Sequence, residues 1–218
     1  MIQTLYLSRH FLLITLILTS CNNNNKPPAT AQIQPVDKIS LEPGNPYAGV
    51  DKSPMDMSYY PANFPSEKMN GNAAENTLIA RVIYSRPKKN GREIFADTTT
   101  DKNYIQLYGK EWRLGANEAT EIEFFKPAII QGNKIMPGRY ILYCIPYREK
   151  WIIKLNSNLF SCGLHMNTKK DIMEVSIPVI LTSNDIEHFT IIFQKTDNGA
   201  DLLMAWGNIQ ASLPISFN

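Results

Sequence analysis

From residue 77 onward, apolar positions recur with the two-residue period of β-strands. Residues 78–85 alternate, with Leu78, Ala80, Val82 and Tyr84 on one side and Arg81 and Ser85 on the other. Residues 119–125 put Thr120, Ile122 and Phe124 on one face and Glu121 and Glu123 on the opposite, solvated one. Gly132-Asn133 predicts a hairpin turn, and Pro137-Gly138 a second break before a strand at 140–145. Residues 151–155 answer that strand across the polar tip 147–150, and further strands are predicted at 173–181, 188–194, 200–206 and 209–215. Short strands separated by turn formers, without a long helical pattern, predict an all-β fold: a single antiparallel β-sandwich over residues 77–218. A domain of that size buries roughly 68–70% of its unfolded surface, so one core suffices without a disulfide.

The beginning of the chain follows a different pattern. Arg9 and His10 precede an apolar run at 11–18, well short of the roughly 20 residues that span a bilayer, so residues 1–20 read as a signal peptide. The ending Leu18-Thr19-Ser20-Cys21 resembles a bacterial lipobox. In that reading the signal is cut before Cys21, whose thiol carries a diacylglyceryl group. Each buried methylene contributes about 0.8 kcal/mol, so two or three chains hold the protein on one leaflet of an envelope membrane. The alternative is an ordinary secreted protein in which Cys21 is incidental. Residues 21–54 are rich in Asn and Pro and read as a flexible tether with a reach of about 30 Å. Residues 55–76 differ, because Met55, Met57, Tyr59, Tyr60 and Phe64 can pack; they predict an ordered arm on the domain.

Charge narrows the partners. With Arg9 removed, 21 basic side chains face 20 acidic ones, a formal balance of +1, and no basic stripe suggests nucleic acid. Cys144 and Cys162 permit one bridge, but Cys144 sits in an apolar run where a free thiol behaves as a small hydrophobe. His165 and His188 stand apart in the sequence, so neither a metal nor a cofactor is expected.

The densest chemistry lies at residues 112–120, WRLGANEAT. Trp112, Arg113, Asn117 and Glu118 surround a flexible Gly115 between two strand-like segments, a setting in which a rigid sheet positions a site. A second segment, 84–95, leaves a strand at Arg86-Pro87, turns at Asn90-Gly91 and presents Arg92. If the two lie side by side, Arg86, Arg92 and Arg113 converge with Asn117 and Glu118. The same residues could equally form a structural corner in which Arg113 pairs with Glu118 and Trp112 fills the core edge.

Several of these stretches resemble the bacterial family DUF2911, a domain of unknown function. They are YSRP at 84–87, NGREIF at 90–95, YGKEWRLGANEAT at 108–120, and PGRYILYCIP at 137–146 leading to Trp151; the likeness runs from about residue 73 to 215. The arm SPMDMSYYP at 53–61 is similar to that of a lipoprotein subgroup. The resemblance implies a shared fold and brings no catalytic residue with it. Two places depart from the family pattern: Ser161-Cys162-Gly163 stands where members often read Trp-Gly, and the connection 96–105 is longer.

Three functions follow. The first is a lipid-anchored, noncatalytic binding module in which Arg86, Arg92, Trp112, Arg113, Asn117 and Glu118 line a site for a glycan or a small anion, using guanidinium forks and an indole face. The second is a carboxylate-dependent hydrolase using Glu118 with Glu111 or Glu123, which requires two carboxyls about 5–10 Å apart across a cleft. No nucleophile elbow, His-based triad or phosphate loop accompanies it. The third is a structural envelope scaffold.

Overall fold

The alternating segments form strands, and in each the apolar face is the buried one. A computed structural model describes residues 53–72 and 77–217; the expected signal peptide, Cys21 and the expected tether up to residue 52 lie outside them. The strands are β1 (Met55–Tyr60), β2 (Ala80–Ser85), β3 (Glu93–Ala96), β4 (Tyr104–Leu107), β5 (Thr120–Phe124), β6 (Ala128–Ile130), β7 (Asn133–Ile135), β8 (Gly138–Pro146), β9 (Lys150–Asn156), β10 (Asp171–Thr196) and β11 (Gly199–Phe217). A short helix, α1 (Phe64–Met69), follows β1. Nine strands make one antiparallel sheet in the order β1-β2-β5-β8-β9-β10-β11-β6-β7. β3 and β4 form a separate parallel pair, which the strand pattern did not anticipate.

The outward face of the first half is held by charge. Arg81 and Glu123 are direct cross-strand partners and pair at 2.6 Å, while Glu121 meets Arg139 at 3.5 Å. On the inward face Val82, Ile122, Leu142 and Ile153 are fully buried. The β6–β7 hairpin turns at Gln131 and Gly132, both with positive φ, as a two-residue turn requires.

Long strands replace two expected loops. The segments 173–181 and 188–194 are one strand, β10, and 200–206 and 209–215 are one strand, β11. The polar stretch between each pair stays in the ladder as an irregularity, with register shifts between Leu181 and Ile186 and between Ile186 and Thr190. Gly207 serves this irregularity: its φ is +57°, and a Cβ there would lie 2.7 Å from Ile94 Cδ1. β10 also passes between the two halves of the sheet. Its residues 171–178 pair with β9 and its residues 179–196 with β11, and buried side chains of both halves belong to one core. Tyr84 of the first half meets Phe189 of the second edge to face, 5.8 Å between centroids.

The first part of the arm, residues 55–60, enters this sheet instead of lying over it. β1 pairs along its whole length with β2, and its other edge lies against the second half of β10. There Phe193 N donates to Ser58 Oγ, and Tyr60 Oη donates to Gly199 O at 2.6 Å. Past the end of β2 the seam continues through backbone bonds, Phe189 N to Pro87 O and Lys89 N to Glu187 O. Arg86 spans it, meeting Asp56 at 3.2 Å and donating to Phe189 O and Thr190 Oγ1. A sheet edge that would otherwise expose unpaired N–H and C=O groups is thereby covered.

Tyr84 also faces this seam, donating to Asp56 Oδ2 at 3.2 Å. Burial, assisted by the charge of Asp56, pushes its phenol from 10.0 up to about 12. A phenol raised in the folded state contributes stability that is complete below the unfolded value near pH 10 and is lost as pH rises through the folded value. The urea midpoint is therefore expected to fall between about pH 10 and 12, and Tyr84→Phe to flatten that fall. Equal slopes in wild type and variant would show that Tyr84 does not carry it.

Candidate functional site

Two short contacts on β8 make the corner at 112–120. Trp112 exchanges both backbone bonds with Cys144, at 2.8 and 2.9 Å, and Thr120 pairs with Leu142 two residues away. Residues 113–119 must therefore leave and rejoin the sheet within a few ångströms. The tight path shows in Leu114 and Asn117, whose φ values are +52° and +61°. It is supported from inside, where Thr120 Oγ1 donates to Leu114 O, Trp112 Nε1 donates to Gly115 O, and Gly115 approaches Ser85 too closely for a freely placed side chain.

Because the backbone alternates, Trp112 points inward and Arg113 outward. The Trp112 indole is buried among Phe95, Trp151, Phe189 and Trp206, with centroids 5.0–5.9 Å away. It offers no open stacking face. Cys144 lies in the same core as a free thiol, raised by burial, and Cys162 is a free, exposed thiol.

A cleft of about 290 Å³ opens beside the corner. Of the residues expected there, Arg92, Trp112 and Arg113 line it, Trp112 as part of its floor. Arg86 is taken up by the seam, and Asn117 and Glu118 are exposed and do not line the cleft. The Arg113–Glu118 ion pair is absent among the described residues. Arg113 Nη1 instead donates to two backbone carbonyls, Asn117 O at 2.6 Å and Cys162 O at 3.0 Å. This fixes the guanidinium plane and leaves its Nε–Nη2 edge without a partner among the described residues. Arg92 is anchored similarly, through Lys89 O and Lys88 O.

The remaining wall comes from outside the WRLGANEAT corner. Gln106 bonds the backbone of the turn leading to Glu111, whose side chain also lines the cleft. Gly163 and Leu164 enter from the loop 157–167, the region where the Ser-Cys-Gly departure from the family pattern falls. Met166 N of that loop donates to Glu111 Oε2 at 3.3 Å. The base of the loop is held by a half-buried polar network, in which the Asp171 carboxylate accepts from Tyr143, Asn156 and Lys154. Burial and this carboxylate hold the Tyr143 phenol far above its ordinary range, so it stays a neutral donor.

Two other depressions, of about 600 and 470 Å³, are more open to solvent. The one near the β8–β9 turn contains Arg148, which pairs with Asp97 and lies 5.0 Å over the Tyr108 ring. No group of three or more His, Cys, Asp or Glu side chains is placed to hold a metal among the described residues.

Fold and site together define an all-β domain with an arginine-lined surface cleft. The chain belongs to the family described as Protein of unknown function (DUF2911), whose profile matches residues 65–215. No curated protein and no solved structure matches the chain. β1 precedes the matched segment, although it is a full member of the sheet.

Gly163 tests the wall of the cleft. Its φ is +79°, and an added Cβ would lie 2.6 Å from Arg113 Cβ. Gly163→Ala is expected to cost about 1–3 kcal/mol through overpacking and left-handed backbone strain, read as a lower urea midpoint. An unchanged midpoint would mean that the loop does not pack on Arg113 in this way.

Proposed function

We propose that this protein is a noncatalytic binding module for a small anionic ligand, held at a bacterial envelope membrane through a lipidated Cys21. One observation carries the binding part: Arg113 is locked by two carbonyls at Nη1, while its Nε–Nη2 edge, the side suited to a bidentate carboxylate, has no partner among the described residues. Arg92 lines the same cleft, and neither guanidinium is neutralised by an ion pair among the described residues. Between the two ligand classes the sequence allows, burial of the Trp112 ring favours the anion over a glycan that needs a stacking platform. A hydrolase draws less support. Glu123 is engaged by Arg81, Glu118 lies outside the lining, and Glu111 is the one carboxylate among the cleft residues described. The lipid anchor rests on the Leu18-Thr19-Ser20-Cys21 sequence and on the resemblance of the arm to a lipoprotein subgroup.

Calorimetric titration of the mature protein with acetate, isocaproate and inorganic phosphate tests the site. Saturable binding is expected for at least one, weakened about tenfold or more in Arg113→Ala, as for loss of a charge-assisted hydrogen bond, and unchanged in Arg148→Ala. Absence of binding, or equal affinity in Arg113→Ala, overturns the site.

The anchor is tested separately. Fatty-acid labelling of cells is expected to mark the wild type and not Cys21→Ala, which should leave the membrane fraction. A labelled or membrane-retained variant would contradict it.

A further inference from the structure

The cleft contains a carboxylate as well as two guanidiniums, and these opposite charges do not pair with one another. Glu111 and Arg113 are two residues apart and line one cleft of about 290 Å³, yet no ion pair joins them. The loop 157–167 explains this. Its Cys162 carbonyl accepts from Arg113, and four residues later its Met166 amide donates to Glu111. One loop thus binds the positive group at one point and the negative group at another, and holds them apart. Both bonds leave capacity unused, namely the Nε–Nη2 edge of Arg113 and the Glu111 oxygen Oε1, neither of which has a partner among the described residues. The lining of the same cleft also includes two aliphatic side chains, Ile105 and Leu164.

Resting on the reading of this cleft as an anion site, we infer that its ligand is a small zwitterion with an apolar side chain: an apolar α-amino acid, or a short peptide ending in one. The ligand carboxylate takes the open edge of Arg113, with Arg92 alongside. The ligand ammonium takes the free oxygen of Glu111. The apolar side chain lies against Ile105 and Leu164. A plain anion satisfies only the arginines and leaves Glu111 as a like charge in the same small space, which discriminates against it. The volume agrees with this class, since it falls at the lower end of the range that holds small molecules, near 300 Å³.

The test compares matched pairs that differ only by the amine: leucine against isocaproate, and leucyl-leucine against isocaproyl-leucine, titrated into the mature wild-type protein and Glu111→Gln. Gln keeps an acceptor oxygen for the Met166 amide, and an unchanged melting temperature checks that the loop is retained. The expected result is that one amine-bearing ligand binds about tenfold or more tightly than its partner in the wild type, with that advantage lost in Glu111→Gln while the amine-free ligand binds no worse. If the amine-free ligands bind as tightly as the amines, the zwitterion inference falls and the anion site stands. If the amine advantage persists in Glu111→Gln, the role given to Glu111 falls. If nothing binds, both readings fall together.

Discussion

Much of this structure depends on the pairing of Trp112 with Cys144. Through it one residue enters the ladder of β8, and the indole is carried into contact with four other aromatic rings. Burying a side chain of this size contributes more than almost any other single contact in a domain, with ring pairs adding about 0.5–1.5 kcal/mol each. The same pairing fixes the direction of the next residue. With Trp112 inward, Arg113 must face outward, so the contact that completes the core also presents the guanidinium to solvent.

A second constraint is the closing of the sheet. β10 serves both halves, which leaves the outer edge of β2 and the second half of β10 to be covered. β1 fills that position, and Arg86 ties the seam with three contacts to Asp56, Phe189 and Thr190. Arg86 and Arg113 therefore have opposite roles despite their equal chemistry. One has its donors consumed by the fold, and the other keeps an edge open because its anchors are two carbonyls on one nitrogen.

The cleft is a boundary feature between the rigid sheet and a less regular loop. Its charges gain direction from backbone groups rather than from each other, which keeps them available in a place where Coulomb attraction alone would draw them together. The network around Asp171 fixes the start of β10, so the loop arrives at the cleft from a firm base. Preorganisation of this kind lowers the ordering cost of binding a small ligand.

Period-two alternation determined the all-β class and the inward faces of β2 and β5, and the Gly132-Asn133 pair indicated the hairpin before β7, one residue past its turn at Gln131 and Gly132, because those depend only on neighbours along the chain. The WRLGANEAT motif likewise marked the corner, and its Gly and Asn already indicated a turn. Pairing across the sheet decided the rest. That 182–187 is an irregularity within a strand and not a loop depends on its partner in β11, and that the arm is a strand depends on the edge it fills. Gln106 and Leu164 reach the cleft from distant parts of the chain, and no local pattern brings them together. The sequence alone determined which residue types stood near the corner; which of them were consumed, buried or left open was decided by long-range contacts, since a side chain's free donors can be counted only after its neighbours are in place.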